Sequence, residues 1–386
     1  MLIDTGTISH DRTLNDLPGS ISGSGDRALW LFWLYLVAFV LVWMLLPLWL
    51  RTEPPGDNLE QLAWMQHPAL GYTKHPPLPT WLLWLASQVA PPGIALTYVL
   101  GAVMVCLTLY GSWRLAEDLL GHGSGWYAVL LCTLITYYSK RLCFFNHNSV
   151  LLACTVFALL VLVTALSRNR TRDWVLLGVV WAAGMLSKYQ MAITIICNLA
   201  AIALLLGGAG NRIRALVTSG TTALILFTPH LLWLVHHDFP PLHYAAGFVT
   251  ANLPIWQRPW RILSFSAYQL ARLAPLLAFL LLAGLFRRTH QQDTGWHLLQ
   301  LQPHPQARPL LAIHALGPFA LMLLLAIFFG TDLETHWGTA YLWATPLLLL
   351  DRGLRPRLAA VPTCKAIAIA AVVQAVVIVE YALPGM

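Results

Sequence analysis

The chain has 386 residues, of which 58% are hydrophobic and only 10% are charged, so its apolar surface exceeds what the core of one soluble domain can bury. This composition excludes a disordered chain, a collagen and a secreted disulfide scaffold. The formal charge of +7 does not indicate nucleic-acid binding, because Lys and Arg occur in ones and twos between apolar stretches. The composition therefore predicts an all-α, polytopic integral membrane protein.

Apolar stretches in chain order predict the membrane spans. Residues 1–27 are polar and lack the basic segment of a signal peptide, which predicts a disordered cytoplasmic tail. Residues 28–50 contain no charged side chain and are long enough to cross a hydrocarbon core of roughly 30 Å as a helix. Further spans are predicted near residues 94–113, 124–139, 148–166, 173–187, 189–207, 214–235, 262–286, 309–330, 337–350 and 364–383. The sequence thus predicts about eleven transmembrane helices in one domain over 28–386, with no C-terminal soluble domain.

The distribution of Lys and Arg predicts the orientation. Most of them fall in alternate loops, which the positive-inside rule assigns to the cytoplasm together with the N-terminus. Other cations lie in the outer loops: Arg51, Lys74, Lys140, Arg141, Lys188, Arg258 and Arg261. Arg272 falls inside a predicted span. Each outer cation either anchors to lipid headgroups or binds an anion, and both interpretations stay open.

The first outer loop carries the polar sequence that points most clearly to chemistry. Pro54-Pro55-Gly56 before Asp57 predicts the start of a short amphipathic helix that lies along the membrane surface. On that helix Asp57 and Glu60 point the same way, and Gln61 and Trp64 share their face. An alternative is that Asp57 and Glu60 form a helix N-cap and only satisfy backbone N–H groups.

Motifs in this loop and beyond resemble those of a known enzyme family. The loop reads D-x-x-E-Q-L-x-W-x-Q from Asp57 and G-Y-x-K-x-P-P-L-P-T-W from Gly71. It resembles the first outer loop of bacterial family 39 glycosyltransferases, which are relatives of protein O-mannosyltransferases and lipid A aminoarabinose transferases. The similarity continues through F-N-H-N-S from Phe145, G-M-L-S-K-Y from Gly184 and E-T-H-W from Glu334, and covers roughly residues 57–350. The resemblance implies the GT-C fold of integral-membrane transferases.

The resemblance also implies an activity. The expected reaction is inverting transfer of a sugar from a polyprenyl phosphate, such as an undecaprenyl phosphate sugar, at the periplasmic face of the bacterial inner membrane. Asp57 matches the acidic residue to which the family's general base is usually assigned, and Glu60 is its catalytic neighbour. A carboxylate is needed to take the acceptor's proton, and preorganised donors are needed for the leaving phosphate. Lys74 is the first candidate for the phosphate, with His75 beside it.

Other polar residues of the outer loops are candidates for substrate binding or, alternatively, members of a solvated loop. They are Tyr72, Arg141, Asn146, His147, Lys188, Glu334 and His336. The His-rich segment near residues 236–243 lacks metal-ligand spacing, so no cofactor is indicated and a divalent metal is left open. The expected partners are the lipid-linked donor, a lipid, polysaccharide or protein acceptor, and membrane lipids, with no nucleic acid.

Two other classes of function remain as alternatives. A polytopic secondary transporter or flippase of a lipid-linked or anionic substrate would also have many spans, but it would place ionisable groups near the membrane midplane. A non-catalytic membrane scaffold would tolerate replacement of Asp57 and Lys74.

Overall fold

The computed structural model describes residues 23–50, 53–249, 254–285 and 304–383, and the regular structure in these ranges is helical throughout. The helices, in chain order, are α1 (Gly23–Leu50), α2 (Gly56–Trp64), α3 (Leu78–Ser87), α4 (Ile94–Leu120), α5 (Gly125–Thr133), α6 (Thr136–Ser139), α7 (His147–Arg168), α8 (Thr171–Ser187), α9 (Met191–Leu205), α10 (Ala209–His236), α11 (Pro240–Val249), α12 (Arg258–Arg272), α13 (Ala274–Leu282), α14 (Ala307–Phe329), α15 (Ala344–Leu349), α16 (Arg355–Ala359) and α17 (Thr363–Ala382). A 3₁₀ turn over Thr335–Ala340 precedes α15, and a π-helical turn over Leu350–Leu354 follows it.

The all-α membrane architecture is confirmed, whereas the count of about eleven spans is not. Within the described ranges, six helices are long and apolar enough to cross a membrane, namely α1, α4, α7, α10, α14 and α17. The pair α12 and α13 makes a seventh if it is one span, bent by 47° where Pro275 begins α13. The predicted span 124–139 is interrupted between α5 and α6, and 337–350 contains the 3₁₀ turn.

Part of the predicted N-terminal tail lies outside the description. Residues 1–22 are outside the described residues, while residues 23–27 already belong to α1. The first helix therefore begins before the predicted span, while its apolar part runs over Trp30–Leu50.

Close helix packing in the core depends on small residues. Helix α8 packs against α7 and α10, and α4 packs against α5 and α7. At Gly178 in α8, a Cβ atom would lie 2.5 Å from the carbonyl oxygen of Ser219 in α10, so only glycine permits this approach. Trp174, Tyr138 and Trp343 fill the interior with large, fully buried side chains.

Polar side chains in the apolar interior are paired across helices. Trp43 in α1 donates its indole N–H to Gln374 of α17 at 3.0 Å, and Gln374 donates to the carbonyl oxygen of Thr133 at 2.6 Å. These bonds join the first and last described spans to the end of α5, since an unpaired polar group there would be costly.

The long helices separate two ends of the molecule. Helix α4 has 27 residues and therefore extends over about 40 Å. Its N-terminal end lies beside α2 and the segment 140–148, together with Lys188 and the 3₁₀ turn, and we call this the site end. Its C-terminal end contacts the segments 304–306 and 355–357, and we call this the opposite end.

Candidate active site

Helix α2 is fixed by a buried polar face. The Asn58 amide donates to Thr97 Oγ1 at 2.7 Å and to the Cys143 carbonyl at 2.9 Å. Gln61, one turn later, accepts a hydrogen bond from the Thr80 hydroxyl at 2.7 Å. Both Asn58 and Gln61 are buried, and Gln61 lies four residues after Asp57, on the same side of the helix. Polar partners on α3, α4 and the 142–146 segment draw these amides into the protein.

Asp57 is held by a side chain from a distant part of the sequence. Helix α2 begins at Gly56 after Pro55, without a side-chain cap hydrogen bond, so the N-cap interpretation of Asp57 is wrong. The Asp57 carboxylate instead accepts a hydrogen bond from the Asn146 amide at 2.6 Å. Asn146 is also the N-cap of α7, because its Oδ1 accepts from the backbone N–H groups of Asn148 and Ser149. One asparagine thereby joins a core helix to this carboxylate.

Lys188 is connected to this carboxylate through the start of α7, since Asn146 binds Asp57 and Asn148 binds Lys188. It follows the last residue of α8, and its ammonium donates to Asn148 Oδ1 at 2.8 Å. Burial lowers the pKa of Lys188 to about 7, although the charges of Asp57 and Glu334 act in the opposite direction. The ammonium also faces the ring of Trp337, 5.8 Å from its centroid. A cation whose charge is only marginally stable is thus placed where an anion would stabilise it.

Three histidines contribute neutral rings to the cluster. The ring centroids of His75 and His147 lie 3.6 Å apart. Nε2 of His147 forms a hydrogen bond with the Asn148 amide at 2.9 Å. Burial, reinforced by the charges of Lys188 and Lys74, lowers the pKa of His75 to about 3. Burial and the charge of Lys188 also lower the pKa of His336 to about 3. Near pH 7 the rings of His75 and His336 are therefore neutral and suited to hydrogen bonding with hydroxyl groups.

The loop between α2 and α3 forms one rim of the cluster. The Lys74 ammonium donates to the Glu60 carboxylate at 2.6 Å, and this hydrogen bond raises the pKa of Lys74. The Tyr72 ring stacks on Trp64, with centroids 4.7 Å apart. A Cβ at Gly71 would lie 2.3 Å from the ring of Trp233 in α10, so the loop is in close contact with that helix.

The turn before α15 forms the other rim. His336 Nδ1 lies 3.9 Å from the Glu334 carboxylate. The Arg141 guanidinium lies 5.1 Å from the ring centroid of Phe144 and 5.9 Å from that of Tyr137, and its charge contributes to the lowered pKa of His336.

The structure brings the predicted site residues into one connected cluster. These are Asp57, Glu60, Tyr72, Lys74, His75, Arg141, Asn146, His147, Lys188, Glu334 and His336. Sequence reasoning does not select Asn58 or Tyr137, because their partners are distant in sequence. Asn148 lies in the F-N-H-N-S motif but is not among the predicted site residues. Among the residues that the structure describes, no three His, Cys, Asp or Glu side chains are grouped to hold a metal ion.

Comparisons with known proteins agree with the loop motifs. The signature of the dolichyl-phosphate-mannose-protein mannosyltransferase family matches residues 74–233. The lipopolysaccharide core galacturonosyltransferase RgtA of Rhizobium johnstonii is 24% identical over 329 residues, which is 83% of this chain and 64% of that protein. The chain therefore spans 64%, just under two thirds, of the length of this curated relative.

The fold is similar to that of a solved membrane transferase. The crystal structure of ArnT from Cupriavidus metallidurans, bound to undecaprenyl phosphate, superposes with a TM-score of 0.59 at 14% identity, covering 88% of this chain and 63% of ArnT. The architecture is thus of the GT-C class. Together with the match over residues 74–233, this confirms the resemblance that the motifs predict: the chain is similar to glycosyltransferases of the PMT and ArnT type.

Proposed function

We propose that the chain is a membrane glycosyltransferase that moves a sugar from a polyprenyl phosphate to an acceptor at the periplasmic face of a bacterial inner membrane, with its N-terminus in the cytoplasm. One observation carries the proposal: the carboxylate of Asp57 and the ammonium of Lys188 are both held at the start of α7, by Asn146 at 2.6 Å and by Asn148 at 2.8 Å. A base next to an anion ligand is what displacement of a phosphate by a hydroxyl requires.

Asp57 acts as the general base. The acceptor oxygen attacks the anomeric carbon from the face opposite the phosphate, and its proton passes to the Asp57 carboxylate. The bond between the anomeric carbon and the phosphate oxygen breaks, and its electron pair leaves with polyprenyl phosphate. Attack from the opposite face inverts the anomeric configuration. The amide of Asn146 orients the carboxylate for this step, at 2.6 Å.

Lys188 stabilises the departing phosphate. Because burial lowers the pKa of Lys188 to about 7, a bound phosphate would favour the ammonium form and gain a charge-assisted hydrogen bond. Lys74 is already paired with Glu60 and is about half exposed, at 47%, so we assign it to the rim, where it contacts the phosphate less directly. Glu60 then serves mainly to hold Lys74.

The neutral rings of His75, His147 and His336, with Tyr72 stacked on Trp64, form the wall that binds sugar hydroxyls and the sugar face. The printed function of the relative RgtA makes galacturonosyl donors and lipopolysaccharide core acceptors the first compounds to test.

The test is turnover by the protein reconstituted in lipid discs with a panel of undecaprenyl phosphate sugars and envelope lipids. We expect one polyprenyl phosphate to be released for each sugar transferred, with the product anomer inverted by NMR. Retention of configuration would contradict the assigned step. In sealed vesicles, movement of the intact lipid-linked sugar across the bilayer without release would favour the transporter or flippase alternative.

A further inference from the structure

Arg272 is a cation that the proposed transfer step does not use. It ends α12 at the bend before α13, inside a stretch that the sequence predicts as a span. Its Nε is buried without a hydrogen-bond partner, and among the described residues the guanidinium forms no ion pair. Because a guanidinium stays charged at all physiological pH values, dehydrating it without an anion is unfavourable. A half-buried guanidinium whose Nε has no partner, at the bend between α12 and α13, points to a ligand.

Tyr137 connects Arg272 with the candidate site. The Arg272 guanidinium lies 5.1 Å from the centroid of the Tyr137 ring, and that of Arg141 lies 5.9 Å from the same centroid. The Tyr137 hydroxyl donates to the carbonyl oxygen of Thr335, the residue before His336. Two guanidinium groups therefore border the turn that forms one rim of the cluster.

The end of α12 is held firmly against this turn. The Thr136 hydroxyl donates to the Arg272 carbonyl oxygen at 3.3 Å. Gln269, one turn earlier on the same helix, donates to the Thr335 carbonyl at 2.9 Å. A Cβ at Gly338 would lie 2.0 Å from Gln269 Oε1, so glycine permits this contact. The position of Arg272 relative to the cluster is thus set by the backbone, which a binding residue requires.

Among the described residues of the cluster, no carboxylate forms an ion pair with Arg272. Lys74 pairs with Glu60, and Lys188 interacts with Asp57 and Glu334. A neutral sugar on a polyprenyl phosphate brings one negative charge, which Lys188 meets in the proposed step. Arg272 therefore requires a second anion on the same substrate.

We infer that Arg272 binds a carboxylate of the transferred sugar, so that the donor is a polyprenyl phosphate-linked uronic acid. The inference rests on the proposed function and names the sugar class that the same site takes. A planar guanidinium suits a carboxylate because it offers two parallel N–H donors. Arg272 is then a specificity-determining residue, since a hexose without the carboxylate leaves it unpaired.

The experiment compares donors that differ only in this carboxylate: galacturonosyl against galactosyl, and glucuronosyl against glucosyl, undecaprenyl phosphate. The reconstituted parent protein is expected to prefer a uronosyl donor. Arg272→Gln should lower kcat/KM for that donor about 10- to 100-fold and change that for the neutral partner by less than about 3-fold. Arg272→Lys should show a smaller loss, and it also serves if the Gln variant fails to fold. Arg258→Gln, at the other end of α12, is the matched control and should retain the parent's preference.

The outcomes separate three accounts. Equal loss for uronosyl and neutral donors in Arg272→Gln would mean that Arg272 binds the lipid phosphate, and would overturn the inference. Turnover of neutral donors alone by the parent protein would overturn the inference and leave the proposed function standing. Turnover of no donor, with no donor bound, would overturn the proposed function together with the inference.

Discussion

The two ends of the molecule use charged residues in different ways. At the opposite end, several charged side chains bind backbone groups: Arg355 donates to the carbonyls of Leu120 and His122, and Arg212 donates to the carbonyl of Leu206 at 2.7 Å. Ion pairs also occur at this end, as between Arg308 and Asp351 at 3.3 Å. Glu117 accepts backbone N–H bonds from the loop that follows α4. These bonds satisfy groups that helix ends leave unpaired.

At the site end, charged and amide side chains bind one another. Asn146 binds Asp57, Lys188 binds Asn148, and Lys74 binds Glu60. These groups are partly dehydrated. Except for Asn146, which caps α7, they contribute little to the stability of the helix ends. The comparison indicates that charges at the opposite end support the fold, whereas those at the site end support chemistry. Substitutions at the two ends should therefore have separable effects.

The largest expected separation is between Lys188→Met and Arg355→Met. Loss of the Lys188 ammonium should lower kcat about 100-fold or more, because the leaving phosphate loses its main charge partner. Arg355→Met should lower the melting temperature and leave turnover per folded molecule unchanged. Turnover assays and thermal unfolding on the same preparations measure both effects. A similar loss of turnover in both variants would contradict the claim that charged residues at the two ends have different roles.

A smaller effect is expected from Asn146→Asp. Aspartate retains the N-cap of α7, so thermal stability should change little. It removes the amide donor to Asp57 and places a second carboxylate beside it, which should lower turnover about 10- to 100-fold and move the acidic limb of the pH profile to higher pH. Asn146→Ser keeps a capping hydroxyl without the charge, so it should lower turnover and move that limb less than the Asp variant does. An unshifted limb in the Asp variant would contradict the contact with Asp57.

Donor affinity should depend on pH through Lys188. Because burial lowers its pKa to about 7, the ammonium is present below that pH and is lost above it. The dissociation constant of the sugar phosphodiester, which keeps its charge throughout, should therefore rise by up to about tenfold per pH unit above 7. Lys188→Arg keeps its charge and should bind with a flat profile from pH 6 to 9. Equally flat profiles for both proteins would argue against Lys188 as the phosphate ligand.

The smallest effect is expected at the rim. The pair of Glu60 and Lys74 is partly exposed, so Glu60→Gln should change the free energy of unfolding by less than about 1 kcal/mol. Turnover should fall less than about tenfold, since Asp57 remains as the base. Chemical denaturation and initial rates provide the two values. A loss as large as that from Lys188→Met would show that Glu60 acts directly in the reaction.

The sequence predicts the all-helical membrane fold but not its breaks. Apolar composition is continuous through 124–139, so it does not reveal the interruption after Thr133, and in 262–286 it does not reveal the bend between α12 and α13. Composition records hydrophobicity, whereas helix continuity also depends on which backbone groups neighbouring elements can satisfy.

The loop motifs identify most of the site residues. They do not predict which side chains are buried or which distant residues these side chains contact. Asp57, Lys74 and Lys188 are found by their residue type and place in polar loops. Burial of the α2 amides depends on partners outside the helix, among them Thr97 and Cys143, so periodicity alone does not reveal that Asn58 and Gln61 are buried. Arg272 is visible in the sequence as a charge within a span, but its contact with Tyr137 requires the fold.

The most direct test of the account is a single-turnover comparison of Asp57→Asn with Glu53→Gln. Both changes remove one carboxylate near the start of α2, but Glu53 is exposed and outside the cluster. With donor prebound and acceptor added, Asp57→Asn should slow the chemical step by about 10²- to 10⁴-fold while donor binding persists. Glu53→Gln should react at the parent rate. Equal chemical rates in the two folded variants would contradict the central claim that Asp57 is the base of a sugar transfer.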